Sequence, residues 1–272
     1  MRKKQRSLHG GYMRNRVVLI VISVLMFAAA IAITVYFFWA NGYMKPATES
    51  SPTTSYEAFT YPSITELTID PTRETDIEEP YISPINFDEL NAANPDIIGW
   101  IYMENPQISL PILRSPTDDT QYLYHDAEGN YNREGALFVE HQYNSADFSD
   151  PVTIIYGHRM SNGSMFGTLQ ATTQEETFFE TPQYIVIYTP TEQKTYRIFA
   201  ITSVDSQHLL INNDFTDPEQ FDAFIDTVYS NNSIGYTHLD DLRPTSDDHI
   251  IILSSCLWGD RSSRFLVLAV EI

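Results

Sequence analysis

Three residues of this sequence are of the types that could carry out nucleophilic catalysis together. Cys256 is the only cysteine, and it follows the aliphatic run "IIIL" after two serines. A thiol is a useful nucleophile only as the thiolate, which a nearby imidazole or cation favours. Of the six histidines beyond residue 84, His158 alone ends a strongly apolar segment and precedes a turn of small residues, in "VTIIYGHRMSNGS". Arg264 opens the last apolar segment, eight residues after the cysteine.

Each of these residues also has an ordinary structural explanation. A free cysteine is one of the most frequently buried residue types. A histidine at the end of a strand is often a simple loop residue, and an arginine that opens a strand is often a solvated surface charge. The catalytic interpretation depends on Cys256, His158 and Arg264 occurring together in one extracellular domain.

These residues must be positioned by a mostly β domain with added helices. Short apolar segments rich in Tyr, Ile and Val alternate with turn signals such as "SPTDD" and "DAEGN", which favours a barrel or a sandwich. The eight predicted strands are "DIIGWIYM", "ISLPIL", "GALFVE", "VTIIYGH", "QYIVIYT", "TYRIFAITSV", "HIIILSS" and "RFLVLAVEI". Strand ends that open into loops are where barrel folds place active sites.

Two helices are predicted beside the strands. Asn86 with Glu89 three residues later resembles a capping box and indicates a short helix over "FDELNAA". Asp217 can cap a longer helix that starts at Pro218 and runs to about residue 231. Its apolar residues recur at helical spacing and form one stripe. They are Phe221, Phe224, Ile225 and Val228.

The amino-terminal part predicts a membrane anchor. Residues 17–39 form an uncharged apolar run long enough to cross a bilayer as a helix. A cleaved signal peptide is the alternative, but this run is long for one and no small-x-small site directly follows it. Residues 1–16 carry six basic and no acidic residues, so the positive-inside rule leaves them in the cytoplasm and the rest of the chain outside. Residues 40–84, rich in Pro, Ser, Thr and acidic residues, predict a solvated linker to a domain at 85–272.

The charge and the cysteine content of the part beyond the anchor limit which partners and which covalent cross-links it can have. Beyond the anchor, 10 Lys and Arg face 36 Asp and Glu, a formal charge of −26. Such a surface argues against binding to nucleic acid and against direct adhesion to anionic lipid. A single cysteine excludes an intramolecular disulfide.

Several motifs together resemble the sortases, and class B sortases in particular. "LSSC" followed by an arginine that opens a strand resembles the "TLSTC…R" signature of the family. "IIYGHRMSNGSMFGTL" is similar to the histidine motif of class B members, in which Tyr-Gly-His ends a strand and Met-Phe-Gly follows. "NPDIIGWI", "LPIL", "GALFVE" and the helix from Pro218 occur at family-like positions. The resemblance covers about residues 87–272, and it implies a sortase-like eight-stranded β-barrel preceded by one transmembrane helix.

The resemblance implies a membrane-anchored cysteine transpeptidase. Such an enzyme cleaves a sorting signal near the carboxyl end of a secreted protein, like "NPQTN" or "LPXTG". It joins the threonine carboxyl group to an amine of peptidoglycan or of its lipid-linked precursor. Cys256 is then the nucleophile, His158 the acid and base, and Arg264 the oxyanion or peptide ligand, while Ser254 and Ser255 contact the substrate. No cofactor and no metal are expected.

Some features depart from the family pattern or leave alternatives open. Serine precedes the cysteine where threonine is commoner, and Arg159 follows the histidine where a polar residue is often found. Arg261 is the second choice for the catalytic arginine. Trp258 could shield a thioester from water, but packing against the barrel is the favoured interpretation. A pilin-polymerising sortase, a thiol hydrolase and a catalytically silent peptide-binding domain remain alternatives.

Overall fold

The computed structural model describes residues 80–231 and 237–272. The predicted cytoplasmic tail, membrane span and most of the linker, residues 1–79, lie outside these residues and stay predictions. Within the described residues, no helix is long and apolar enough to cross a membrane.

Eight strands close into a mixed β-barrel. Each of the eight predicted apolar segments overlaps one of them, and β6, β8 and β9 extend beyond their predicted segments. A two-residue strand that the sequence did not predict, β7, is added beside β6. The strands of the described residues are β1 Ile97–Met103, β2 Ile108–Leu113, β3 Leu137–Phe138, β4 Val152–Tyr156, β5 Tyr184–Tyr188, β6 Gln193–Asp205, β7 Thr237–His238, β8 Ile250–Leu257 and β9 Asp260–Glu271. Their order is β5-β1-β2-β3-β4-β8-β9-β6, and pairing of β5 with β6 closes the ring.

Two neighbouring pairs in the barrel are parallel, and the other pairs are antiparallel. The parallel pairs are β2 with β3 and β4 with β8. Parallel neighbours end at the same edge of a sheet, so residues that follow β4 and β8 are brought together. This arrangement decides where His158 and Cys256 lie.

The two faces of the barrel wall form two different cores. Side chains alternate across a strand, so Ile251 and Leu253 of β8 join the interior cluster with residues from the other barrel strands. Ile250 and Ile252 face outward and pack with Leu266 and Leu268 of β9 against the longest helix. Both faces of β8 are therefore buried, which explains its unbroken aliphatic run.

Four α-helices and two 3₁₀ turns accompany the barrel in the described residues. The helices are α1 Phe87–Ala93, α2 Leu169–Thr173, α3 Leu209–Asn212 and α4 Pro218–Ser230, and the 3₁₀ turns are Gln121–Leu123 and Phe178–Glu180. The Asn86 side chain accepts the Glu89 N–H at the start of α1, and Asp217 accepts the Glu219 N–H at the start of α4. All four apolar residues of the predicted stripe on α4 are buried.

Candidate active site

Cys256 and Arg264 are cross-strand partners in the hairpin formed by β8 and β9. Directly paired residues present their side chains on the same face of a sheet. The hairpin turns at Trp258 and Gly259, and Gly259 has a φ of 83°, which favours glycine. Arg261 lies three residues nearer this turn, so the register favours Arg264 as the arginine that faces the cysteine.

His158 reaches the same place from the parallel strand β4. Tyr156 of β4 is paired with Ser254 of β8, and His158 and Cys256 each follow this pair by two residues. The Gly157 N–H extends the pairing by donating to the Ser254 carbonyl at 3.1 Å. The parallel register thus brings His158 beside Cys256. His158 follows the end of β4, as the sequence predicted, whereas Cys256 lies inside β8, one residue before its end, and not at a strand end that opens into a loop.

Gly157 is required by close packing under the histidine. A Cβ atom at this position would lie 2.5 Å from Leu137 Cδ2 and 2.6 Å from Phe166 Cδ2. The loop after the histidine then returns, because the Phe166 N–H donates to the His158 carbonyl at 2.9 Å. Phe166 is fully buried in the barrel interior, so it anchors the loop that carries His158.

The imidazole of His158 is oriented by a backbone carbonyl. Its Nε2 lies 2.8 Å from the Leu123 carbonyl oxygen. A carbonyl oxygen can only accept a hydrogen bond, so Nε2 carries the hydrogen. In the neutral ring, Nδ1 is therefore the nitrogen that can take up a proton.

Tyr122 fixes the 3₁₀ turn that presents this carbonyl. It is buried, its hydroxyl donates to Asp96 Oδ2 at 2.7 Å, and it accepts the side-chain N–H of Asn94 at 3.1 Å. Burial raises the pKa of Tyr122, and the adjacent Asp96 carboxylate raises it further. The hydroxyl therefore keeps its proton and remains a donor to Asp96.

One cavity of about 250 Å³ is lined by all of the residues that the sequence predicts to act in catalysis. Cys256, His158 and Arg264 border it, together with Ser254 and Ser255. The structure thus brings together, around one space, a thiol, an imidazole and a guanidinium that lie up to 106 positions apart in the numbering.

The two serines before the cysteine differ in their environment. Ser254 lies on the same face of β8 as Cys256, because side chains alternate along a strand. Ser255 is two residues from Leu253 and therefore faces the barrel interior together with Ile251 and Leu253. Both serines are buried, with 4% of Ser254 and 3% of Ser255 exposed. The Oγ of Ser255 has no hydrogen-bond partner among the described residues. The geometry therefore favours Ser254 over Ser255 as a residue whose side chain could reach a bound peptide.

Trp258 is not packed against the barrel, contrary to the favoured interpretation. Its exposed fraction is 69%. The guanidinium carbon of Arg159 lies 5.7 Å from the centroid of its ring, in a cation–π arrangement. Arg159, which departs from the family pattern, thus contacts the turn that follows the cysteine.

Among the polar residues of the cavity that were not identified from the sequence, three interact with one another. Glu140 follows β3, His208 precedes α3, and Tyr156 ends β4. His208 Nε2 lies 2.9 Å from Glu140 Oε1 and 2.8 Å from Oε2. Burial raises the pKa of Tyr156, the charge and hydrogen bonding of Glu140 raise it further, and Arg264 opposes the shift. These contacts join residues up to 68 positions apart, for which the sequence offers no local signal.

Comparison with known proteins finds similar sequences and similar structures. No family model matches the sequence. The chain is 28% identical over 168 residues to Sortase B of Listeria monocytogenes, covering 62% of this chain and 65% of that protein. It superposes on the X-ray structure of Clostridium perfringens Sortase B with a TM-score of 0.60 and 26% identity, covering 69% of this chain and all of that one. In both sequence and fold, the chain is similar to sortase B.

A third comparison includes a bound substrate. The Staphylococcus aureus sortase B–substrate complex matches with a TM-score of 0.58 and 25% identity, covering 68% of this chain and 84% of that one. The match to the Listeria sortase B spans just under two thirds of that protein's length. The chain described here contains a single cysteine, Cys256.

Proposed function

We propose that the protein is a cysteine transpeptidase that attaches secreted proteins to the cell wall. The observation that carries the proposal is the meeting of Cys256 with His158 and Arg264 around one cavity. Two independent constraints create it: the parallel register of β4 with β8, and the direct pairing of Cys256 with Arg264. Homology to sortase B supports the reaction class.

Acylation uses the thiolate of Cys256. The thiolate attacks the threonine carbonyl carbon of a sorting signal, a C–S bond forms, and the carbonyl electrons move onto oxygen. Arg264 donates hydrogen bonds to this oxyanion, which is the kind of stabilisation that carries much of acyl-transfer catalysis. When the C–N bond breaks, protonated His158 gives its Nδ1 proton to the departing amine, while its Nε2–H stays on the Leu123 carbonyl.

Deacylation runs the same steps with a second amine. The acceptor amine gives a proton to His158 Nδ1 as its nitrogen attacks the thioester carbon. A new C–N bond forms, the C–S bond breaks, and the thiolate of Cys256 is restored. The acceptor is an amine of peptidoglycan or of its lipid-linked precursor, so the product is a protein joined covalently to the wall.

The proposed function includes a location at the cell membrane and secreted proteins as substrates. Residues 17–39 anchor the protein in the cell membrane with residues 1–16 in the cytoplasm, and the catalytic domain at 85–272 is extracellular. The substrates are secreted proteins with an NPQTN-like or LPXTG-like signal, and Ser254 contacts the bound peptide. The acidic surface disfavours nucleic acid as a partner.

Product analysis tests this function and separates it from the alternatives. The full chain in detergent is incubated with a panel of sorting-signal peptides, without an added amine, with triglycine, or with a pilin peptide that offers a lysine side chain. A peptide joined to triglycine through its threonine supports transpeptidation. Cleavage with water as the only acceptor indicates a thiol hydrolase, and preference for a pilin lysine side chain indicates a pilin-polymerising sortase. No product from any peptide would favour a catalytically silent binding domain.

A further inference from the structure

The segment after β6 forms one wall of the catalytic cavity but is weakly packed. Ser206, Gln207, His208 and Leu209 border the cavity. Helix α3, which follows, contains no fully buried residue, and Ile211 is 61% exposed. Two further cavities, of about 410 and 600 Å³, adjoin the same helix. Leu209 and Leu210 pack against the outer core but are only partly buried. Since apolar burial is the main force that holds a short helix in place, a further interaction is needed to fix this wall.

His208 supplies that interaction through both of its ring nitrogens. Nδ1 accepts the Ile211 N–H at 3.2 Å and so caps α3. A nitrogen that accepts carries no hydrogen, so in the neutral ring the hydrogen is on Nε2, which lies 2.9 Å from Glu140 Oε1. One tautomer therefore satisfies both contacts, and the Tyr143 ring supports the imidazole at a centroid distance of 4.9 Å.

Glu140 is in turn tied to the barrel beside the catalytic residues. The side chain of Glu140 is only 15% exposed. The residue follows β3, which is the neighbour of β4 in the barrel. The hydroxyl of Tyr156, the last residue of β4, faces this carboxylate, and its ring stacks on Phe138 at 5.4 Å. The contact of His208 with Glu140 thus connects the wall segment, residues 206–212, to the strand that precedes His158.

We propose that Glu140 and His208 are positioning residues, whose contact holds the segment 206–212 against the barrel as one wall of the peptide cleft. Neither residue takes part in bond making. The contact fixes the width of the cavity next to Cys256, so its loss weakens peptide binding more than it slows the chemical step. This inference rests on the proposed function for its effect on peptide binding, but the positional role of the contact is independent of it.

The test compares three variants of the full chain. His208→Ala removes the contact, and His208→Gln keeps a side-chain N–H that can donate to Glu140. The matched control is His249→Ala, because His249 makes a similar contact with Glu271, at 3.4 Å, at the opposite end of β8. Amide hydrogen exchange of residues 206–213 reports the wall, and KM and kcat for a cleaved sorting-signal peptide report binding and chemistry.

We expect the substitution of His208 to affect the wall segment and peptide binding, and not the rest of the barrel. In His208→Ala, exchange at residues 206–213 accelerates while exchange in β8 stays unchanged, and KM rises about tenfold, the size expected for one lost hydrogen bond to a charged group. kcat changes by less than about threefold, and His208→Gln recovers most of the loss. His249→Ala behaves as the unaltered chain.

Three results would overturn the inference. They are unchanged exchange at residues 206–213 in His208→Ala, an unchanged KM despite faster exchange, and a His208→Gln variant as impaired as His208→Ala. If the unaltered chain cleaves no peptide, the proposed function fails, and the exchange comparison alone still decides whether the contact holds the wall.

Discussion

Cys256 and Arg264 lie directly opposite each other on β8 and β9, one residue pair before the hairpin register shifts. The irregularity between Cys256 and Leu257 comes immediately after the cysteine, so regular pairing holds the thiol and the guanidinium on one face up to the catalytic cavity. Cys256 and Arg264, eight residues apart in the sequence, are thus directly paired across two strands of the sheet. This relationship makes the choice between the two arginines testable.

Arg264→Ala should reduce acyl transfer far more than Arg261→Ala. Loss of one oxyanion donor typically costs about 10² to 10³ in rate, and Arg264 has the position opposite Cys256. kcat/KM for peptide cleavage measures both variants. A larger loss in Arg261→Ala would show that the other arginine serves the oxyanion.

Tyr122→Phe should lower both stability and activity. The change removes the hydroxyl that donates to the half-buried carboxylate of Asp96, and the loss of this hydrogen bond costs about 1 to 3 kcal/mol in the free energy of unfolding. It also loosens the turn that presents the Leu123 carbonyl to His158. Tyr131→Phe is the control, because Tyr131 is largely exposed. Denaturant unfolding and peptide cleavage are measured together, and full activity in a destabilised Tyr122→Phe would contradict the role of this turn.

Gly157→Ala should abolish most activity, whereas Gly129→Ala should not. A methyl group at Gly157 meets Leu137 and Phe166, and such overpacking costs about 1 to 3 kcal/mol and displaces His158. Gly129 has a φ of 80° and open space around it, so its substitution costs about 1 kcal/mol through backbone strain alone. Thermal unfolding and cleavage rates distinguish them. Equal activity in both variants at a temperature where both are folded would argue against steric control of the histidine.

Trp258→Ala should leave the free energy of unfolding within about 0.5 kcal/mol, as for other exposed positions. Trp100→Ala provides the contrast, because Trp100 is almost fully buried and donates from Nε1 to Ser109 Oγ at 2.9 Å. That substitution should cost about 3 to 5 kcal/mol. Chemical denaturation of both variants is the measurement. A large loss in Trp258→Ala would restore the interpretation that this side chain packs against the barrel.

The sequence predicts the barrel well because each of its eight strands leaves a local apolar pattern. β7 is not predicted, because its two residues, Thr237 and His238, are too few to show the alternation of apolar and polar residues that marks a strand. α3 is not predicted either, because its four residues are too few to show an apolar stripe. For strands and for α4, the local pattern and the tertiary structure agree.

The site is only partly predictable for a similar reason. Cys256, His158 and Arg264 have recognisable residue types next to apolar segments of the sequence, and family resemblance supports their grouping. The orientation of His158 depends on the Leu123 carbonyl, and every residue has a backbone carbonyl, so the sequence cannot single this one out. The contact of Glu140 with His208 arises only when β3 and the segment after β6 meet in the folded barrel.

Intact-mass spectrometry of the full chain with sorting-signal peptides tests the central claim most directly. The predicted result is a mass increase equal to the peptide fragment that ends in threonine, carried as a thioester and removed by triglycine or hydroxylamine. Cys256→Ala, in which no other cysteine can substitute, should retain the fold and show no increase. An adduct of the same mass in Cys256→Ala, or none in the unaltered chain with any peptide although its thiol reacts with a small thiol reagent, would contradict the account.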